Sequence, residues 1–196
     1  MKALLVTGTT RKDSKTHYVA REACNSFSNE NSAELFDLHE RTVPMMEKRL
    51  SHDDSPPEDV TEFRELVEWC DVIVIVTPEY NHSIPGPLKN LLDYLYSEYN
   101  DKAFSYITVS AGGFGGVRAQ SHLHDITLAL GGRPGPSLPV SNVGDHFSEE
   151  SVSDEYSDRL DDFVGKVEAF LEPNALNLSS SKNFLCSIWA ATTRRN

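Results

Sequence analysis

The sequence predicts a three-layer α/β domain, a doubly wound, five-stranded parallel sheet of flavodoxin-like strand order 2-1-3-4-5 with helices on both faces. Three observations carry this reading. Five short runs rich in apolar residues alternate with longer segments whose apolar residues recur at helical spacing. The clearest run, Val72-Ile73-Val74-Ile75-Val76, is β-branched at every position, as a parallel strand covered on both faces requires. A length of 196 residues suits one compact unit, and right-handed crossovers leave few ways to wind it.

Ala3 to Val6 is the first strand and ends at Thr7-Gly8. The helix after it sets Val19, Ala20, Ala23, Cys24 and Phe27 on one face. Ala33 to Leu38 is the second strand. A loop over Asp53 to Asp59 leads into a helix with the stripe Val60, Phe63, Leu66, Val67 and Cys70. Beyond the third strand, Leu88, Leu91, Leu92 and Leu95 define a helix within Leu88 to Tyr99. Phe104 to Ser110 is the fourth strand, and Val117 to Leu130 a helix with Leu123, Ile126 and Leu130 inward. Pro134 to Val140 is a weaker fifth strand. Val152, Tyr156, Leu160, Phe163, Val167 and Leu171 mark the last helix. From Pro173 the pattern breaks. The domain is therefore expected over residues 1–173, and 174–196 reads as a tail or as an arm that sets its Phe184 to Trp189 patch on a neighbouring subunit.

A net charge of −12, from 30 acidic and 18 basic residues, argues against a nucleic-acid partner, which needs a basic footprint. It also disfavours an anionic membrane surface, and no apolar run is long enough to span a bilayer. Met1 to Gly8 turns polar too soon for a signal peptide. Cys24, Cys70 and Cys186 are far apart and form no CxxC pair, so neither a disulfide framework nor a metal site is expected. The cytoplasm is the simplest compartment.

Three strand ends carry the chemistry, and in an open parallel sheet ligands sit at those ends. The first is Gly8-Thr9-Thr10-Arg11-Lys12-Asp13-Ser14-Lys15-Thr16. Hydroxyls, an arginine and the free amides of a helix start suit a phosphate. Ser14 would equally serve as an ordinary helix cap. The second is Pro78-Glu79-Tyr80-Asn81-His82-Ser83-Ile84-Pro85-Gly86, stiffened by its prolines. Tyr80 offers a flat face and a hydroxyl, Asn81 a donor and an acceptor for a ring edge; Glu79 and His82 also fit a local hydrogen-bonded turn. The third is Ser110 with Gly112-Gly113-Phe114-Gly115-Gly116, glycines that permit positive φ and close backbone approach. It is no dinucleotide fingerprint, because Arg118 stands where a third glycine is required. A phosphate grip beside strand one and two ring-contacting turns beyond it match FMN better than a dinucleotide.

These motifs, with the run Pro78 to Asn90 the most specific, resemble the NAD(P)H-dependent FMN reductase family, which includes quinone, azo-dye and chromate reductases. The resemblance spans Lys2 to Leu171. It implies that Thr9, Arg11, Ser14 and Thr16 hold the FMN phosphate; the family more often has serine at the position of Thr9. It implies that Pro78, Glu79, Tyr80 and Asn81 line the flavin ring, and that Ser110, Gly112, Gly113 and Gly115 lie near its pyrimidine side. His82 and Arg118 are candidates for substrate contact, and Arg118 fits support of the glycine turn equally well. No catalytic side chain is expected, since the flavin carries the chemistry. The implied activity is ping-pong hydride transfer from NADPH or NADH to FMN and then to a small-molecule acceptor: a quinone, azo compound, metal oxyanion or free flavin. Homodimers or homotetramers are implied as well. A flavodoxin-type electron carrier and a flavin-binding regulatory protein are the competing readings.

Overall fold

The computed structural model describes residues 1–172; the segment expected as a tail, 174–196, lies outside the described residues. The elements are β1 (Lys2–Thr7), α1 (Thr16–Ser28), β2 (Ser32–Phe36), α2 (Glu58–Trp69), β3 (Val72–Pro78), α3 (Gly86–Asp93), β4 (Ala103–Val109), α4 (Val117–Ala129), β5 (Arg133–Val140), the one-turn α5 (Val143–His146) and α6 (Asp154–Leu171). All strand pairs are parallel, and the sheet order is β2-β1-β3-β4-β5, as the sequence predicts.

Strand alternation divides the core in two. Ala3, Leu5, Val72, Val74, Val76 and Ile107 face α1 and α6, where Val19, Ala23, Phe27, Leu160, Phe163 and Val167 are buried. Leu4, Val6, Ile73, Ile75 and Tyr106 face the other side, against Val60, Phe63, Leu88, Leu91 and Leu123 of α2, α3 and α4. Every residue of β3 is buried, which explains why its sequence shows no polar alternation. β5 gave the weaker signal because it is the edge strand, where Pro134, Pro136 and Pro139 are tolerated.

Of the boundaries that differ from the sequence expectation, three have a visible cause. β2 stops at Phe36 because the Leu38 N–H donates to the Thr7 hydroxyl at 2.8 Å instead of joining the ladder. α3 ends at Asp93 because the Leu50 N–H donates to the Tyr94 carbonyl at 3.0 Å; a separate 3₁₀ turn follows at Ser97–Tyr99. Cys70 is buried just beyond α2, where its N–H closes the last turn onto Leu66.

Candidate functional site

The turns after β1, β3 and β4 leave the same rim of the sheet, each stitched by its first amide to the next strand. The N–H of Gly8 donates to Val76 O at 2.8 Å, that of Glu79 to Val109 O at 3.1 Å, and that of Ser110 to Val140 O at 2.9 Å. Gly8 is obligatory there: a Cβ would lie 2.3 Å from Thr77 Oγ1 and 3.1 Å from Leu88.

Between these turns lies an open cavity of about 410 Å³. Its lining includes the expected residues Arg11, Ser14, Thr16, Pro78, Glu79, Tyr80 and Ser110. Thr9 stands directly behind, buried at 4% exposure, with Oγ1 3.0 Å from the Tyr80 hydroxyl. The Arg11 guanidinium sits 5.7 Å from the Tyr80 ring centroid and pairs with Asp13 at 3.1 Å. Ser14 is not the cap residue of α1, a position that Lys15 occupies without a side-chain bond, but its hydroxyl accepts the Thr16 N–H at 3.3 Å and donates to Thr16 Oγ1 at 3.0 Å.

The second turn is a tight reversal. Tyr80 and Ser83 exchange backbone hydrogen bonds at 2.9 and 3.0 Å, and Asn81 and His82 both have positive φ, 51° and 64°. This primed turn sends Asn81 and His82 out to solvent, away from the cavity lining. Glu79 reaches the other way. Its carboxylate accepts the N–H groups of Arg118 and Ala119, at 3.1 and 3.4 Å, and so caps the start of α4. Arg118 and His82 lie 3.7 and 3.4 Å from its other oxygen.

In the third turn the glycines divide by role. A Cβ on Gly115 (φ 63°) would stand 2.6 Å from Pro139 Cβ, so this residue is fixed by the fold. A Cβ on Gly112 or Gly113 would meet nothing within 4 Å. The Ser110 hydroxyl braces the turn, donating to Gly112 O at 2.7 Å and accepting the Gly115 N–H at 3.0 Å. Gly112, Gly113, Gly115 and Arg118 do not line the cavity.

Five lining residues were not singled out from the sequence: Asp13, Val109, Ala111, Val143 and Gly144. Three of them lie in or beside the motif turns. Val143 and Gly144 follow the edge strand, whose end lies on the same rim; that strand-end position was the available signal. A second cleft, of about 340 Å³, opens on the outer side of turn two, where Ser83 Oγ lies 2.8 Å from His122 Nδ1.

The donor set fits a phosphorylated planar ligand. At the start of α1 the Thr16 N–H is held by Ser14 Oγ and the Tyr18 and Val19 N–H groups turn back to Lys15 O, and two buried hydroxyls, Ser14 and Thr16, stand there beside Arg11. Tyr80 supplies a flat face next to the backbone of Ser110 and Ala111.

A family model described as NADPH-dependent FMN reductase matches residues 1–144. An NADPH azoreductase of Bacillus sp. strain OY1-2 is 31% identical over 174 residues, covering 87% of this chain and 93% of the relative. An NAD(P)H-dependent FMN reductase of Pseudomonas aeruginosa is 30% identical, covering 76% and 83%. Among solved structures, the flavoenzyme FerB, an NAD(P)H:(acceptor) oxidoreductase from Paracoccus denitrificans, superposes with a TM-score of 0.68 at 27% identity, covering 86% of this chain and 97% of its own. The parallel sheet, the strand-end cavity and these matches together make the chain a member of the NADPH-dependent FMN reductase family.

Proposed function

We propose that the cavity holds FMN with its phosphate on the Arg11–Thr16 turn and its ring against Pro78–Tyr80 and Ser110–Ala111, and that the enzyme reduces a small organic acceptor, a quinone or an azo compound. As a family member the chain is an oxidoreductase that uses FMN with NAD(P)H. The observation that carries the site reading is the single cavity joining an arginine, two buried hydroxyls and a helix start to an aromatic and backbone-lined floor.

When bound, FMN supplies hydride chemistry, accepting reducing equivalents from NAD(P)H and passing them to the acceptor in alternation. The chain's own residues then have distinct tasks. Arg11 balances the phosphate charge, with the Thr16 hydroxyl as a donor at the positive end of α1. Thr9 holds the Tyr80 hydroxyl, which keeps that ring upright as the wall of the site. Glu79 anchors turn two on α4, so the prolines and Tyr80 do not drift. Ser110 freezes the glycine turn, and exposed Gly112 and Gly113 leave the approach to the ring open.

Azoreductases and quinone reductases among the relatives support a small-molecule acceptor. A homodimer or homotetramer in the cytoplasm belongs to the same proposal. Large apolar side chains left in solvent near turn three, Phe114 at 73% exposure and Val117 at 42%, support a partner copy or a substrate there. Among the described residues no helix is long and apolar enough to cross a membrane.

The test is anaerobic reduction. Protein reconstituted with FMN is mixed with NADPH or NADH, and the flavin absorbance is followed before and after a quinone or azo dye is added. Bleaching by the nicotinamide and recovery with the acceptor support the proposal. A flavin that neither nicotinamide bleaches would instead indicate an electron carrier.

A further inference from the structure

The short helix α5 forms a fourth wall of the cavity through Val143 and Gly144, and both of its ends are tied to turns that build the site. At its start the Asn142 N–H donates to Gly112 O at 3.0 Å and the Val143 N–H to Ser110 O at 3.1 Å. At its end the Lys15 ammonium donates to Gly144 O at 3.3 Å and to Phe147 O at 3.5 Å. Arg21, farther along α1, donates to Glu149 O. Two cations, one just before α1 and one within it, thus hold three carbonyls of the segment that carries this wall.

Lys15 also lines the cavity between Ser14 and Thr16, where a lysine reads at first as a counter-charge for phosphate. Its geometry argues otherwise. An ammonium has three donors, and two of these are aimed at carbonyls at the end of a helix, groups that lack intrahelical partners. Swinging the ammonium toward a phosphate would release the end of the wall.

We infer that Lys15 is a positioning residue: it latches the Val143–His146 wall to the phosphate turn and retains the flavin by holding that wall in place, not by pairing with the phosphate. This rests on the FMN reading above. A wall contact is felt by any flavin, whereas a counter-charge is felt only by the phosphorylated one.

The experiment titrates the full chain, as wild type, Lys15→Met and Lys15→Arg, with FMN and with riboflavin, by flavin fluorescence. Hydrogen exchange of the 142–147 amides is measured alongside in flavin-free protein. Lys15→Met weakens both flavins by the same factor, about three- to tenfold for one ordinary hydrogen bond. It also speeds exchange of those amides while leaving the α6 amides unchanged, and Lys15→Arg restores both. A loss confined to FMN, or unchanged exchange of the wall amides, overturns the latch. Wild-type protein that binds neither flavin overturns the FMN reading itself; wild-type binding with an unaltered Lys15→Met variant overturns the latch alone.

Discussion

Glu79 and Arg118 are joined through the backbone: the Glu79 carboxylate accepts the Arg118 N–H at 3.1 Å, and the two side chains approach only to 3.7 Å. A residue inside the most specific sequence motif therefore works as the cap of a helix far along the chain. The Glu79 side chain is only 14% exposed, so the bond is poorly replaced by water. Glu79→Ala should lower stability by about 1–2 kcal/mol, the usual loss for a charged helix cap. Glu79→Gln, which keeps an acceptor oxygen, should lose less. Urea unfolding measures both, and equal stability of all three proteins would remove the capping role.

Arg11 and Asp13 should pull flavin affinity in opposite directions. Arg11→Ala removes a charged donor and should weaken FMN by about 1.5–3 kcal/mol. Asp13 pairs with Arg11 at 3.1 Å and competes with an arriving phosphate. Asp13→Asn should therefore tighten FMN about two- to fivefold, as expected from releasing an exposed ion pair and a like charge. Weaker binding after Asp13→Asn would place the phosphate elsewhere.

The glycines of turn three separate fold from ligand. Gly115→Ala puts a Cβ at positive φ and 2.6 Å from Pro139, and should destabilise the protein by about 1–3 kcal/mol. Gly113→Ala meets open space and should leave the melting temperature unchanged. Thermal unfolding of the two flavin-free variants decides the matter; similar losses in both would contradict the division.

Burial lowers the pKa of half-buried His17, more than nearby Asp37 raises it; His39 and Arg21 lower it further, and Glu149 opposes them. A base whose folded pKa lies below its unfolded value of 6.5 binds fewer protons when folded. Its contribution to stability is complete above pH 6.5 and is lost as pH falls through the lowered folded value. His17→Gln should flatten the stability decline on the acid side, read from urea midpoints across that range. An unchanged slope would assign the decline to other groups.

Ser105 is fully buried in β4, and its hydroxyl has no hydrogen-bond partner among the described residues. Burying an unpaired hydroxyl costs about 1–3 kcal/mol. Ser105→Ala should accordingly raise stability by about 1 kcal/mol, and a loss of stability would reveal an unrecognised partner for the hydroxyl.

Much of the fold is written locally. Val72 to Val76 shows a strand buried on both faces because nothing polar interrupts it, and the helical stripes show which face each helix turns to the sheet. Strand-end logic likewise gathers Arg11, Ser14, Tyr80 and Ser110 on one rim. What escapes the sequence depends on distant partners. The end of α3 is decided by the Leu50 N–H, the cap of α4 by Glu79, and the fourth wall by Lys15 reaching Gly144 and Phe147. A one-turn helix such as α5 has no periodicity to reveal it. The outward aim of Asn81 and His82 follows from a turn type that Gly more often occupies, so their residue types gave no warning.

The most direct measurement is a crystal structure of the protein with FMN. The phosphate should lie within hydrogen-bond reach of Arg11 and Thr16, with the ring between Tyr80 and the Ser110–Ala111 backbone. A flavin seated in the Ser83–His122 cleft, or a phosphate remote from the start of α1, would contradict the account.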